Sequence, residues 1–335
     1  MTDRLSSNRF AQSFNLTTPI ALAPMAFAGG GELAAASARA GALGLVGGSY
    51  GELDWTRREY GIALEALSED AGALARLGCG FITWRLDEDR SALDWLLDQP
   101  HTPGALFLSF GDPREASKSI TQRGIPLICQ IQTMAQLPLA VEAGASVIVA
   151  QGGEAGGHGM NALDGRSTFT LVPEVADWLA KHSPETQLLA AGGIADGRGL
   201  AAALMLGADG ALVGSRLWAA RESLAPQNAI DTAIEASGDE TARTVIFDIL
   251  REKNWPAEYD FRALRNALHA NWEDRIEELR ANPEAARADY REGVARGDFT
   301  RAHVTVGEGT GLIGDAPTAA EIIARIDKEA RALLG

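Results

Sequence analysis

Eight short apolar runs recur along the chain, each followed by small or polar residues and then by a segment of helical pattern. They span 20–23, 42–46, 79–82, 105–109, 127–131, 146–150, 187–191 and 211–214. Short apolar runs bounded by turn signals read as strands buried on both faces, as in a parallel sheet. The segments Glu32 to Ala40, Asp112 to Gln122, Met134 to Ala143, Pro173 to Lys181 and Arg198 to Leu206 are long enough to be crossover helices. Three junctions repeat one chemistry. Ala40-Gly41-Ala42, Ala143-Gly144-Ala145 and Leu206-Gly207-Ala208 each place a glycine C-cap directly before a strand. Eight strand–helix units in about 215 residues favour a closed (β/α)8 barrel over an open sheet, with the first strand paired to the eighth.

After Leu217 the texture changes to charged helical sequence, including Asn271 to Arg280 and Ala285 to Arg296, with an irregular stretch from Val304 to Asp315. The expected fold is therefore α/β: a (β/α)8 TIM barrel over 1–224 and a mainly helical C-terminal appendage over 225–316 that caps the active site. A terminal helix over 317–335 packs back on the barrel. That last segment carries a capping box, Thr318 to Glu321, followed by Ile322, Ile323, Ile326, Ala330 and Leu333 at helical spacing.

Charge excludes one class of partner. Lys+Arg 30 against Asp+Glu 45 gives a net charge of -15, the wrong sign for nucleic acid or an anionic membrane surface, both of which are held largely by Lys and Arg. Cys79 and Cys129 form neither a disulfide framework nor a CxxC motif, so a reducing compartment, the cytoplasm, is expected. Met1 to Phe14 lacks an apolar signal core, and the uncharged stretch from Gly124 to Val141 is interrupted by Gln, Thr and Pro, so no spanning helix is expected.

In such a barrel the active site lies at the C-terminal ends of the strands. The residues there are Pro24, Met25, Gly47, Thr83, Trp84, Phe110, Gln130, Gln132, Gln151, His158, Gly192, Gly193, Gly214 and Ser215. This set is small, amide or apolar, which suits a flat uncharged ligand with a phosphate tail better than a metal or a sugar. Gly192-Gly193 and Gly214-Ser215 sit at the tips after the seventh and eighth runs. Either pair alone is equally well read as a turn; together, on the strands where barrels bind phosphate, they point to backbone N–H groups receiving one.

The sixth run leads into QGGEAGGHGM, Gln151 to Met160, with five glycines around His158. The bland reading is a surface histidine. Its place at the catalytic face favours a general base or proton donor on a flexible loop. His101, His182, His269 and His303 have no comparable setting and read as surface or structural. Gly29 to Ala34 satisfies G-x-G-x-x-A, yet Pro24 ends its strand early, so a tight loop facing the ligand explains it better than a dinucleotide site. Cys129 is either a nucleophile or, more simply, a small buried hydrophobe. Trp55, Trp84 and Trp95 read as packing residues, with Trp84 also placed to wall a flat ring.

These motifs carry a resemblance. Ala23-Pro24-Met25, AQGGEAGGHG (Ala150 to Gly159), AAGGIADGRG (Ala190 to Gly199) and Leu212 to Ser215 together resemble the nitronate monooxygenase family, formerly called 2-nitropropane dioxygenases. FDILREKNWP (Phe247 to Pro256), RALRN (Arg262 to Asn266) and GEGTGLI (Gly307 to Ile313) are similar to its C-terminal region. The resemblance implies an FMN-dependent barrel that oxidises alkyl nitronates, and in some members nitroalkanes, with O2 to a carbonyl compound and nitrite. It implies FMN contacts from Gln151 and Gly156, a phosphate site at Gly193 and Leu212 to Ser215, a ring contact from Gln130, and His158 as the catalytic base. The full set expected around FMN is Ala23, Pro24, Met25, Thr83, Gln130, Gln151, Gly156, Gly157, Gly192, Gly193, Leu212, Val213, Gly214 and Ser215. Thr83 stands where many members have an Asn. Related FMN enzymes that reduce enoyl-acyl-carrier proteins or quinones with NAD(P)H share the GGH loop, so a reductase is the alternative reading, and a non-catalytic FMN-binding module a third.

Overall fold

The structure, a computed structural model, describes Leu5 and residues 8–335; residues 1–4, 6 and 7 of the segment expected to be barrel lie outside the described residues. Eight parallel strands form the barrel: β1 (Ile20–Leu22), β2 (Gly44–Gly47), β3 (Leu77–Ile82), β4 (Leu106–Ser109), β5 (Leu127–Ile131), β6 (Val147–Gln151), β8 (Gln187–Ala191) and β9 (Gly210–Val213). A further strand, β7 (Gly157–Met160), follows β6 but lies outside the barrel. As the sequence implies, the first and last barrel strands pair, with Ile20 opposite Ala211 and Leu22 opposite Val213. The seam between β1 and β2 closes through a bridge from Ala21 to Leu43, where the Leu22 N–H donates to the Leu43 carbonyl at 2.9 Å.

Alternation along each strand sorts the side chains. Ala21, Leu45, Phe107, Ile128, Val149 and Leu189 fill the barrel, and Phe10, from the helix Arg9–Ser13, is fully buried with them. Ile20, Leu22, Val46, Leu106, Ile148 and Val213 point outward into the helix layer. Burying a side chain of this kind contributes about 1.5–3 kcal/mol relative to leaving it exposed. The three expected C-cap glycines adopt the left-handed backbone that ends a helix cleanly, with φ of +85° at Gly41, +84° at Gly144 and +98° at Gly207.

The terminal helix, Ala319–Leu334, starts with the expected capping box and buries Ala319, Ile322, Ile323, Ile326 and Ala330 against the barrel helices. Leu333 departs from that face and is exposed in the last turn. The close approach depends on Gly197, where a Cβ would fall 2.2 Å from that of Glu329.

Residues 225–316 contain five helices of six or more residues, among them Gln227–Glu235, Ile246–Arg251 and Glu284–Arg296, together with strands β10 (Thr241–Thr244) and β11 (Tyr259–Leu264). Those strands form an antiparallel sheet with β7, in which Phe261 stands opposite His158 and Tyr259 opposite Met160. The histidine segment is thus not a free loop, as its glycines led us to expect, but the edge of a sheet whose other strands come from the appendage. Pairing with partners about a hundred residues away leaves no local signal, because β-strand order is set by cross-strand contacts. Among the described residues no helix is long and apolar enough to cross a membrane.

Candidate active site

A cavity of about 690 Å³ opens at the C-terminal ends of the barrel strands and is walled on its far side by residues 225–309. Ala23, Pro24 and Met25 border it after β1, Gln130 on β5 and Gln151 at the end of β6. So do Gly156, Gly157 and His158, the tip residues Gly192 and Gly193, and Leu212, Gly214 and Ser215. Thr83 and Val213 do not. Leu77, Cys79 and Phe81 on β3 face the helix layer, and Thr83 continues that parity, ending buried beside Cys129 and Pro113. Val213 likewise points outward, while its neighbour Leu212 points in. The Val213 carbonyl accepts the Ala23 N–H at 3.0 Å in the ladder to β1.

The tips after β8 and β9 are backbone surfaces. Gly192 and Gly193 have φ of +106° and +72°, which other residues rarely adopt, and a Cβ on Gly192 would lie 2.8 Å from the Thr168 hydroxyl. Gly214 caps the short helix Ser215–Trp218, whose first N–H groups have no partner within the helix. The Ser215 hydroxyl accepts the Gly307 N–H at 2.9 Å. Gly156 lets segment 306–307 approach, since its Cβ would fall 2.5 Å from the Gly307 nitrogen. The G-x-G-x-x-A loop, by contrast, is filled by the chain itself. A Glu59 carboxylate oxygen accepts the Gly31 N–H at 3.0 Å and occupies the helix N-terminus that a phosphate would need.

His158 is buried, and its Nε2 lies 3.0 and 2.9 Å from the two Asp248 carboxylate oxygens. A carboxylate only accepts, so Nε2 carries the proton and Nδ1 keeps its lone pair. The ring stacks on Trp255, with centroids 3.5 Å apart and planes 11° from parallel. Desolvation pushes the imidazole pKa down, opposed by the bond to Asp248, so the ring is neutral near pH 7. Gln151 is held too: its amide donates to the His158 carbonyl at 3.2 Å and its oxygen accepts from Gln132 at 3.0 Å.

Two largely buried arginine side chains anchor the loop that carries this histidine. Arg243 donates to the carbonyls of Gly153 and Ala155 at 3.2 Å each and pairs with Asp260 at 3.1 Å. Arg262 donates to the Gly153 carbonyl at 3.0 Å. Gly159 makes room for the first, because a Cβ there would meet the Arg243 guanidinium at 2.5 Å. Backbone strain gathers at the same place. Of the described non-glycine residues with positive φ, Phe27, Ser49, Phe110 and Glu252 border the cavity, and Asn15 lies elsewhere.

A family model for nitronate monooxygenase matches residues 86–329, most of the chain. The chain belongs to the nitronate monooxygenase family. It is 34% identical to a nitronate monooxygenase of Metarhizium robertsii, over 93% of this chain and 90% of that protein. It is 30% identical to a nitronate monooxygenase of Neurospora crassa, over 92% and 88% of the two chains. Among solved structures, FabK from Thermotoga maritima superposes with a TM-score of 0.80 at 26% identity, covering 98% of this chain and 97% of the other. A nitroalkane oxidase from Streptomyces ansochromogenes shares the fold with a TM-score of 0.77 at 22% identity, covering 97% and 100%. The protein is accordingly an oxidoreductase of a flavin-dependent family, acting on a small molecule.

In this nitronate monooxygenase family member, several cavity residues were not foreseen. Arg251 and Trp255 border the cavity, and Asp248 reaches it only through His158; all three fall inside the FDILREKNWP segment, but nothing in that segment says which of them meets His158. Tyr290 stands on a charged helix whose other buried residues are small, Ala286 and Gly293. His303, expected to be surface or structural, borders the cavity, and its signal was the alternation His303-Val304-Thr305-Val306, in which the two valines are core residues. Trp84 packs edge-on against Trp255 at 5.5 Å rather than facing the cavity. Cys129 is buried in the helix layer with its thiol pKa pushed up by desolvation, so it is no nucleophile.

Proposed function

We propose that the protein oxidises alkyl nitronates with O2 to a carbonyl compound and nitrite, using FMN, and accepts neutral nitroalkanes through His158 as base. The observation that carries this reading is the pairing of a neutral, Asp248-held imidazole with a glycine-tipped cradle in one cavity. The cradle fits a terminal monophosphate. Segment 307–309 packs over it, with the place of a Gly309 Cβ 3.5 Å from the Gly193 backbone, which favours the shorter FMN over FAD. The dinucleotide-like loop is already occupied by Glu59.

When bound, FMN supplies the electron acceptor and the site at which O2 reacts. The chain's own residues do the rest. His158 Nδ1 takes the proton α to the nitro group, and Asp248 keeps the other ring proton on Nε2 and stabilises the imidazolium that forms. Trp255 fixes the ring plane by stacking. Arg243 and Arg262 hold the loop at the distance set by its glycines. A preformed nitronate has no proton to lose, so for that form the cavity has only to bind and orient.

Heat-released flavin should be FMN by mass spectrometry, and FAD would reject the cofactor assignment. Anaerobic mixing with a nitronate should bleach the flavin, and turnover under air should release nitrite. Bleaching by NAD(P)H but not by nitronate would make the protein a reductase, and bleaching by neither a binding module.

A further inference from the structure

We infer that His303 donates a hydrogen bond from Nε2 to an oxygen of the substrate's nitro or nitronate group, and that Tyr290 fixes the tautomer that allows it. This rests on the nitronate reading above. Segment 303–306 alternates: Val304 and Val306 sink into the core, and His303 and Thr305 turn to the cavity. The Tyr290 hydroxyl lies 2.7 Å from His303 Nδ1, and the two rings stack with centroids 5.8 Å apart. Phe261 separates the two imidazoles of the cavity, 4.8 Å from His158 and 5.6 Å from His303.

The wiring of the two rings is opposite. We take the Tyr290 phenol as the donor in this bond, with Nδ1 at 2.7 Å as its acceptor. Nδ1 therefore accepts, and a neutral imidazole with an accepting Nδ1 carries its proton on Nε2, the nitrogen left for the cavity. Burial keeps both groups neutral, pushing His303 down to about 3 and Tyr290 up to about 12. In His158 the Asp248 carboxylate takes the Nε2 proton and leaves Nδ1 bare. One wall thus offers a lone pair for a carbon-bound proton, and the other a fixed donor for oxygen. A nitronate carries its negative charge on those oxygens, so a preorganised neutral donor stabilises it without a counter-charge.

The test uses flavin-loaded wild type and the variants His303→Phe, His303→Gln and Tyr290→Phe, each checked for flavin content. Nitrate, a planar oxyanion with the same O–N–O edge, is titrated against the flavin difference spectrum, and KM and kcat are measured for a nitronate and its neutral nitroalkane. His303→Phe should weaken nitrate binding and raise KM for the nitronate about 10- to 100-fold, as expected for losing a bond to a charged acceptor, with a smaller rise for the neutral nitroalkane. His303→Gln, which keeps an N–H donor, should recover most of that loss, and Tyr290→Phe should show a smaller loss in the same direction. Unchanged nitrate affinity and KM in His303→Phe would overturn the inference. A His303→Gln variant as weak as His303→Phe would overturn it equally. If no protein, wild type included, turns over nitronate while nitrate binding still depends on His303, the proposed reaction fails and the oxyanion site stands.

Discussion

At the β8–β9 end of the cavity the wall is backbone, made by Gly192, Gly193 and Gly214 on loops a few residues long. Elsewhere it is side chains: His158 from the barrel half meets Asp248 and Trp255 from the appendage, and the appendage's Tyr290 and His303 stand beyond Phe261. The first end needs only the right backbone torsions, which a local run of glycines supplies. The second exists only once β7 has paired with β11 and the appendage has closed on the barrel. On the proposed function, a site built this way would separate duties: the barrel would hold the flavin by its phosphate, and the appendage would decide what chemistry meets it.

That division can be broken from either side. Asp248→Asn should have the larger effect, lowering kcat/KM on a neutral nitroalkane about 100-fold while leaving flavin content intact, because base catalysis is lost when the imidazole is no longer held in one tautomer. The pH profile gives the sign. Burial, together with the charges of Arg251 and Arg243, lowers the His158 pKa and the bond to Asp248 raises it, so with the carboxylate gone nothing opposes the lowering and the acid limb of kcat/KM should move to lower pH. An unmoved limb would mean that the dyad does not set the base. Gly193→Ala should act on the other end and more weakly. A Cβ there has space, its nearest neighbour being Glu154 at 3.6 Å, but the +72° torsion costs about 1–2 kcal/mol. Flavin Kd should therefore rise by about tenfold, with the appendage and its dyad undisturbed. Full flavin retention in the folded variant would remove the phosphate assignment.

The same division explains what could be read in advance. The eight strands, the C-cap glycines and the tip glycines are local patterns, and each is where the sequence places it. His158 was found because five glycines beside one imidazole at the end of a barrel strand are conspicuous. Its partner was not, since an aspartate inside a helix of the appendage looks like any solvated acid until the chain folds. Thr83 misled because position after a strand was taken for direction; the parity of β3, with Cys79 and Phe81 facing out, already contained the answer. His303 was hidden in a stretch with no regular structure, where a two-residue alternation was the one signal.

The most direct measurement is anaerobic rapid mixing of His158→Asn with a neutral nitroalkane and, separately, with its preformed nitronate, following the bleaching of the flavin. The account predicts a loss of about 10²- to 10⁴-fold in the reduction rate with the neutral form and a far smaller one with the nitronate. Equal losses on both forms, or no loss on either, would contradict it.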